Sequence, residues 1–490
     1  MKKEDKNIDL EFKRYFESLF YVTTPIYYIN DKPHIGTSYT TIIADTVARF
    51  MRQKGEDVIF LTGVDEHSQK TVDSAKKANE DIVSYTDKLA KKFEDAWNNL
   101  NISNSDFIRT SEERHISTVI DFWDRLDASD DIYLDEYSGL YCNGCEEFKK
   151  ESDLVDGLCP IHKTKPELIT ESNYFFRLSK YQKPLLDFYE SNPDFIFPEN
   201  KFNEIKKFVE SGLEDISFSR EGKDWGIKVP RDPHQVIYVW ADALVNYISA
   251  VGIEGWEEHP ADIHFIGKDI LRFHAIIWPA MLMSAGLPLP GKVVANGFLT
   301  INGSKMSKSL GNSIDPFDLI KQYGVDALRY FLLREVPFGQ DGDFSIEKMK
   351  DRYNSDLANG LGNFTSRILS LASKENIDIE DVDKEFDEKI KIMNLSVLKK
   401  INDFKFNEAL MAIWDVISFG DFYINEQKIW AIKDDKLRKK AILNCLTLLY
   451  NVAQALTPFL PETSKKIKDA FSWNVKNVTV KKIDNLFPRV

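Results

Sequence analysis

The first sixty residues contain a strand, a turn and a helix, followed at once by a second strand. Residues 20–29 are apolar and rich in β-branched and aromatic side chains, which is typical of a buried strand. After an Asn-Asp turn, apolar residues recur at helical spacing from Ile42 to Met51, and Gly55 ends this helix. A second apolar run, residues 58–61, stops at Gly63. The short connections predict a parallel, doubly wound sheet of the Rossmann-like, nucleotide-binding kind.

The alternation of strands and helices is not continuous along the chain. From about Ile132 to Phe218 it is lost, and it resumes in VIYVWADALVNY and HFIGKD. Past Asp343 only the 3.6-residue period of helices recurs, so we expect no strand there. The predicted fold is α/β: a split Rossmann-like parallel sheet, an inserted zinc-knuckle module and a C-terminal all-α helical bundle.

Charge and cysteine usage limit the function. A formal net charge of -14 argues against bulk attraction to nucleic acid, so any RNA contact must be local. The N-terminus contains Glu4, Asp5, Asp9 and Glu11 and lacks the apolar run of a signal peptide. Prolines or amides interrupt the two uncharged stretches 273–291 and 441–461, which we interpret as buried helices. Only four cysteines occur, which favours a metal site in a reducing compartment, with the cytoplasm as the expected location.

Three of the cysteines follow a chelating pattern. Cys142 and Cys145 form one short turn, and Cys159 and His162 form a second after thirteen intervening residues. Three thiolates and one imidazole at this spacing give a tetrahedral Zn²⁺ site. Cys445 lies on the apolar stripe of a helix and is predicted to be a buried thiol.

Two short motifs are suited to polyphosphate chemistry. His34, Gly36 and Thr37 lie in an HIGT turn between strand and helix, where free N–H groups and the helix dipole attract phosphate. Far downstream, KMSKS forms a polar loop whose cations Lys305 and Lys308 can close over the charge of a leaving group. Alone, the first motif is also compatible with a turn capped by a histidine, and the second with a solvated charged turn.

HIGT followed downstream by KMSKS resembles the paired signatures of class I aminoacyl-tRNA synthetases. YVTTPIYYIN, FLTGVDEH, YVWADALVNY, HFIGKDILRFHAIIWPAML and NGFLTINGSKMSKSLGN, with the knuckle, resemble the methionine-specific branch, from about Phe20 to the C-terminus. The resemblance implies that methionine and ATP form methionyl-adenylate and pyrophosphate, with Mg²⁺ accompanying ATP, and that methionine passes to the 3′ end of tRNA(Met). It also implies one structural zinc per chain.

The resemblance assigns residues to each part of this chemistry. The predicted methionine pocket comprises Ile26, Tyr28, Asp65, Trp240, Ala243, Tyr247, His274 and Trp278. The predicted ATP site comprises His34, Gly36, Thr37, Gly267, Asp269, Asn296, Gly297, Lys305, Ser307 and Lys308, of which His34, Lys305 and Lys308 are the catalytic candidates. The predicted anticodon readers are Asn363, Arg367 and Trp430.

The expected organisation follows from these assignments. The expected boundaries are 1–18 for an N-terminal extension, 19–131 and 219–295 for the catalytic halves, 132–218 for the insertion, 296–352 for the KMSKS and stem-contact region, and 353–490 for the anticodon-binding bundle. Because the chain ends soon after the bundle, we expect a monomer. Thr37 stands where the family pattern has a second histidine, and we expect activity to persist.

Three other functions stay open from the sequence. A different class I synthetase shares both motifs, although the stretch 132–218 is too short for the large editing insertion of the aliphatic enzymes. A nucleotidyltransferase acting without tRNA shares the HIGT-like turn, and a zinc-knuckle scaffold protein needs neither motif. Amino-acid-dependent exchange of pyrophosphate into ATP separates these readings.

Overall fold

The computed structural model describes residues 19–29, 32–143, 145, 147–161, 163–222, 224–301, 304–305 and 314–489, with backbone alone at 137, 152, 304 and 305. They fall into two compact units, each described here by itself. The first unit runs to Pro33 and then takes in Gly55–Asn98 and Ser103–Asn296. The second contains His34–Lys54, Asn99–Ile102 and the chain from Gly297 onward.

The first unit contains both strands and helices. Its strands are β1 (Leu19–Tyr28), β2 (Asp57–Asp65), β3 (Asp106–Arg109), β4 (Ile132–Cys142), β5 (Glu147–Lys149), β6 (Glu167–Phe176), β7 (Ile196–Phe197), β8 (Ile216–Ser217), β9 (Ser219–Glu221), β10 (Lys228–Val229), β11 (Asp232–Ile237), β12 (Ile263–Gly267) and β13 (Lys292–Asn296). Its helices are Gln69–Ala78, Ile82–Asn99, Glu113–Ala128, Gln182–Ser191, Glu199–Glu210, Val239–Ala243, Asn246–Ser249, Gly252–Glu258 and Trp278–Ala285, the last preceded by a π-helical turn, Phe273–Ile277.

A parallel sheet forms the centre of this unit. Its strand order is β3-β2-β1-β12-β13-β7, and every neighbouring pair is parallel. The order reverses between β1 and β12, which is where open α/β sheets bind ligands beyond the carboxyl ends of their strands. The predicted α/β class with a split parallel sheet is therefore confirmed.

The stretch predicted as an insertion forms mostly antiparallel structure. β4 and β6 pair over ten residue pairs, and β5 and β8 complete a four-stranded sheet. A second antiparallel sheet, of order β10-β11-β9, follows this stretch at residues 219–237. Strand β7 differs: it pairs with β13 at the edge of the parallel sheet. The chain thus returns briefly to the central sheet before the predicted second half begins.

Helices dominate the second unit. They are Ile35–Gln53, Pro316–Tyr323, Val325–Glu335, Ile346–Arg352, Asn363–Ala372, Lys384–Asn402, Phe406–Gln427, Asp435–Leu456 and Pro461–Lys468, with a π-helical segment at Tyr353–Gly362. Short strands are also present: β14 (Leu299–Ile301), β15 (Ser304–Lys305), β16 (Gly342–Phe344), β17 (Ile377–Asp378), β18 (Phe471–Trp473) and β19 (Asn477–Val480). The helical C-terminal region is confirmed.

The expectation of no strand past Asp343 was wrong. β17, β19 and β18 pair antiparallel in a small sheet. These strands are two to four residues long, so their alternating pattern is too brief to stand out from the surrounding helical period. The two uncharged stretches fold as largely buried helical turns, and within the described residues no helix has the length and apolar content to cross a bilayer.

Candidate active site

Two of the residues predicted to bind methionine lie at the ends of neighbouring strands. Tyr28 closes β1 and lies opposite Asp65, the last residue of β2, in the parallel register. The Asp65 side chain is almost fully buried, and one carboxylate oxygen accepts the backbone N–H of His67 at 3.1 Å. A buried anionic acceptor thus lies at the strand ends beside the point where the sheet order reverses.

Aromatic rings enclose the space beside Asp65. The Trp240 ring stacks on Phe273 with centroids 3.9 Å apart, and it meets the Tyr28 ring edge-on at 6.0 Å. The His274 ring lies 6.5 Å from Trp240 at nearly a right angle. The buried indole nitrogen of Trp240 has no hydrogen-bond partner in the described part of the chain. Such a wall favours a polarisable, uncharged group over a polar one.

The protonation of His274 follows from its two hydrogen bonds. Its Nδ1 lies 3.0 Å from the carbonyl oxygen of Ile270, which can only accept, so Nδ1 carries the proton. Its Nε2 then accepts the hydroxyl proton of Tyr247 at 2.7 Å. Complete burial lowers the pKa of His274 to about 4, so the ring is neutral near pH 7. His274 therefore adds no positive charge to the pocket wall.

The other predicted pocket residues lie in the same unit at different depths. Ile26 is partly buried on β1, and Ala243 is buried at the end of the helix Val239–Ala243. Trp278 is completely buried, with Phe122 at 5.9 Å and Tyr247 at 6.0 Å between ring centroids. Trp278 therefore supports the ring of Tyr247 from within the core.

In the second unit, the HIGT turn is a helix cap. His34 precedes the helix Ile35–Gln53, and its Nδ1 accepts the backbone N–H groups of Gly36 and Thr37 at 3.0 and 3.4 Å. The Thr37 hydroxyl donates to the His34 carbonyl at 2.8 Å and accepts its N–H at 3.1 Å, completing a capping box. Since Nδ1 accepts, the proton of neutral His34 lies on Nε2, which remains a donor.

Gly36 lies close to the ring of the capping histidine. A Cβ added at Gly36 would lie 3.0 Å from two atoms of the His34 ring. The glycine thus makes room for the imidazole that caps the helix.

Further predicted ATP residues lie at strand ends of the first unit. Gly267 ends β12 and pairs with Asn296, which ends β13. A Cβ on Gly267 would lie 2.6 Å from a carboxylate oxygen of Asp269, so the glycine lets that carboxylate fold over the strand end. In the second unit, a Cβ on Gly297 would meet the Gln340 carbonyl oxygen at 2.1 Å, which leaves room there for glycine alone.

The KMSKS residues are largely outside the described part of the chain. The backbone of Lys305 lies in β15, opposite Thr300 of β14. Ser307 and Lys308 lie outside the described residues. Their assignment therefore stays a prediction.

Three of the four predicted metal ligands converge at the end of β4. The sulfur atoms of Cys142, Cys145 and Cys159 all lie within 4.8 Å of one another. Burial raises the pKa of the Cys145 thiol to about 12, so a cation is needed to hold its thiolate form near pH 7. Three convergent, half- to fully buried sulfurs fit a soft divalent metal. His162 lies outside the described residues.

The predicted anticodon readers lie on the helical region of the second unit. Asn363 is exposed at the start of the helix Asn363–Ala372, and Arg367 follows one turn later. The Arg367 guanidinium lies 6.0 Å from the centre of the Trp430 ring, and it also pairs with Asp421 and with the amide oxygen of Asn425. Trp430 is 57% exposed in the short turn Ile429–Ala431, so a large flat ring faces solvent beside a cation.

A buried acid that the sequence did not predict lies between two histidines. Asp242 accepts His67 Nδ1 and His115 Nε2, both at 2.6 Å, and it is completely buried. Burial would raise the pKa of Asp242, but the two imidazoles outweigh it and lower the pKa to about 2. The signal was available: Asp242 is the one charged residue within the apolar run 236–251. Phe273, which stacks on Trp240, was also not foreseen.

The sequence and the fold match a known class of enzymes. A family model described as tRNA synthetases class I (M) matches residues 20–164 and 149–369. The methionine–tRNA ligase of Caldanaerobacter subterraneus is 45% identical over 96% of this chain and 79% of its own length. That of Thermotoga maritima is 44% identical over 93% of this chain and 76% of its own length. That of Streptomyces coelicolor is 44% identical over 92% of this chain and 89% of its own length.

Solved structures agree with the sequence relatives. Mycobacterium tuberculosis methionyl-tRNA synthetase in complex with methionyl-adenylate superposes with a TM-score of 0.91 and 38% identity, covering 96% of this chain and 100% of that one. The apo form of the same enzyme gives a TM-score of 0.84 at 37% identity, covering 96% of this chain and 98% of that one. The chain belongs to the methionine–tRNA ligase family of class I aminoacyl-tRNA synthetases, as the motifs led us to expect.

Proposed function

We propose that this protein activates L-methionine with ATP and transfers the methionyl group to tRNA(Met). The observation that carries the proposal is the aromatic pocket beside a buried carboxylate. Asp65 offers an anion for the methionine ammonium group, while Trp240 and Tyr28 offer faces and edges to a neutral thioether. Neutral His274, held by Tyr247, adds no charge at the proposed sulfur end of the pocket.

Activation needs positioning more than side-chain chemistry. The methionine carboxylate attacks the α-phosphorus of ATP in line, and the bond to pyrophosphate breaks. For ATP we keep the assigned residues: Gly267, Asp269 and Asn296 in the first unit, and His34, Gly36, Thr37, Gly297, Lys305, Ser307 and Lys308 in the second. His34 Nε2–H and the two lysines are the proposed donors to phosphate oxygens. Mg²⁺ bound to ATP supplies charge neutralisation on the leaving pyrophosphate.

The metal and RNA assignments complete the proposal. Cys142, Cys145, Cys159 and His162 would hold one structural Zn²⁺, which ties the turn after β4 to the loop before β6. Asn363, Arg367 and Trp430 would read anticodon bases by edge contacts and stacking. We further propose a monomer working in the cytoplasm, where reducing conditions keep the three thiols available to the metal.

Exchange of labelled pyrophosphate into ATP tests the activation step. With purified protein, exchange is expected with methionine and absent with the other amino acids, and charging is expected only when tRNA(Met) is added. Asp65→Asn tests the role of the carboxylate. It keeps the shape of the side chain, removes its charge and should abolish exchange. Exchange that depends on another amino acid, or none at all, would reject the proposal.

A further inference from the structure

A separate cavity lies in the first unit next to the proposed methionine pocket. Its volume is about 490 Å³, a size suited to a small ligand or a nucleoside. It is lined by His67, two residues after Asp65, and by Val239, the neighbour of Trp240. The backbone N–H of His67 bonds the Asp65 carboxylate at 3.1 Å. A ligand in this cavity therefore lies beside the end of the pocket where an amino acid would present its ammonium and carboxylate groups.

The His67 ring is fixed at the wall of this cavity. Its side chain is 7% exposed, and its Nδ1 lies 2.6 Å from the carboxylate of buried Asp242. The anion accepts Nδ1–H, which places the lone pair on Nε2. In the described part of the chain Nε2 makes no hydrogen bond.

A second histidine fixes the carboxylate that holds His67. The other oxygen of Asp242 accepts His115 Nε2 at 2.6 Å, and His115 Nδ1 lies 2.9 Å from the Ser249 hydroxyl. With both oxygens engaged, the carboxylate cannot rotate away. The orientation of the His67 ring is therefore fixed before any ligand arrives, as in a base positioned for proton transfer.

The remaining walls suit a nucleoside. Trp225 lines the cavity with its ring held in place: its Nε1 donates to the Glu66 carbonyl at 2.6 Å, and its ring meets His67 edge-to-face at 5.6 Å. Tyr141 and Tyr238 also line the cavity, but both are buried, and the Arg220 guanidinium lies 4.0 Å from the centre of the Tyr141 ring. Trp225 therefore supplies the stacking face, and an aromatic face of this kind stacks an unpaired base whatever its identity.

The charges at the cavity wall disfavour a free polyphosphate. Arg220 is already neutralised by a two-bond pair with Glu171, at 2.7 and 2.9 Å, and Glu80 pairs with Lys88 at 2.8 Å. That leaves Lys76 and Asp224, a cation and an anion, which offset each other. An uncharged base and ribose fit such a wall better than a triphosphate does.

We propose that this cavity receives the 3′-terminal nucleoside of tRNA and that His67 is the catalytic base of methionyl transfer; the inference rests on the proposed function. The terminal ribose hydroxyl oxygen attacks the carbonyl carbon of methionyl-adenylate, and a new ester C–O bond forms. The bond from that carbon to the phosphate oxygen breaks, and AMP leaves with the electron pair. His67 Nε2 takes the hydroxyl proton and later releases it to water.

The test separates activation from transfer. Methionyl-adenylate is formed on excess enzyme and mixed rapidly with tRNA(Met), and the single-turnover transfer rate is compared with methionine-dependent pyrophosphate exchange. The key variant is His67→Asn, whose amide reproduces the Nδ1–H bond to Asp242 but has no group at Nε2. We expect transfer to fall by about 100-fold, while exchange changes by less than about threefold.

His259→Gln is the matched control. His259 also pairs with an aspartate, Asp262, in the same unit at 2.9 Å, but it does not line the cavity. Both rates should stay at the parent value. Unchanged transfer in His67→Asn, or an equal loss of transfer and exchange, would overturn the inference.

A second variant guards against a folding defect in the first. Trp225→Leu removes a stacking face and should raise the tRNA concentration for half-maximal transfer by roughly 5- to 100-fold, with exchange retained. An unchanged tRNA requirement would also overturn the inference. Failure of the proposed function looks different, because the parent itself would then show no methionine-dependent exchange.

Discussion

The Tyr247 hydroxyl donates to His274 Nε2 at 2.7 Å, in a fully buried part of the first unit. Together with the Nδ1 bond to the Ile270 carbonyl, it fixes both the orientation and the neutral state of a ring in the proposed methionine pocket. A rigid neutral wall is what an uncharged thioether needs for tight packing.

Removing this hydroxyl tests the role of the pair. Tyr247→Phe leaves buried Nε2 without a donor, at a cost of about 1–3 kcal/mol. We expect the KM for methionine in pyrophosphate exchange to rise on the order of tenfold, with the KM for ATP little changed. Tyr189→Phe is the control, because Tyr189 is an equally buried tyrosine of this unit that donates to a backbone carbonyl. Equal KM values for methionine in both variants would contradict the prediction.

The buried histidines predict how stability changes in acid. In the unfolded chain a histidine has a pKa of about 6.5, and burial lowers that of His274 to about 4 in the folded protein. Between these pH values the unfolded chain binds more protons than the folded protein does. The contribution of His274 to the free energy of unfolding is therefore fully present above about pH 6.5 and is lost as the pH falls toward 4. Burial and nearby His274 lower the pKa of His264 as well, so it acts in the same direction.

Urea unfolding at several pH values measures this effect. The His274 contribution is on the order of 3 kcal/mol across the window, from about 1.4 kcal/mol per pKa unit. His274→Gln, which does not titrate, should show a smaller loss of stability between pH 6.5 and 4.5 than the parent. The same loss in both proteins would show that His274 is not protonated on unfolding in this range.

A buried ion pair anchors the helix that follows the HIGT turn. Arg329 is completely buried in the second unit, pairs with Asp45 at 2.7 Å and donates to the carbonyls of Phe459 and Pro458. Arg329→Gln leaves Asp45 with less compensation and should destabilise the protein by about 3–5 kcal/mol. Arg49→Gln is the control, since Arg49 bonds the same carboxylate at 2.8 Å from a more exposed position.

The comparison is made by chemical denaturation of both variants. Arg49→Gln should cost about 1 kcal/mol or less, because part of its charge remains solvated in the parent. A loss in Arg329→Gln no larger than that in Arg49→Gln would mean that burial does not strengthen the pair.

The exposed ring of Trp430 gives a prediction about tRNA. Trp430→Ala should weaken charging of tRNA(Met) by about 1–3 kcal/mol, the usual worth of one stacked base, and leave pyrophosphate exchange unchanged. Trp473→Ala is a fair control, because Trp473 is also a partly exposed tryptophan of the second unit, 43% exposed on β18. Equal charging of tRNA(Met) by the two variants would contradict the assignment of Trp430 to the anticodon site.

Local patterns predicted the parts of the fold that depend on neighbouring residues. The run to Ile29 and the helical spacing after Ile42 predicted the first strand and helix, because burial of one face imposes a period on the sequence. The spacing of Cys142, Cys145 and Cys159 predicted a cluster that the structure brings together. The short strands β17, β18 and β19 were missed because two to four residues carry too little pattern.

The sequence by itself determined the class of fold, the convergent thiols and the family, since motifs of a few residues encode turns, chelating loops and caps. Only the tertiary structure decided how Asp242 joins His67 and His115, which lie 175 and 127 positions away along the chain. It also decided which nitrogen of His274 carries the proton. Both depend on partners brought together by packing of the whole unit, and no local period records such partners.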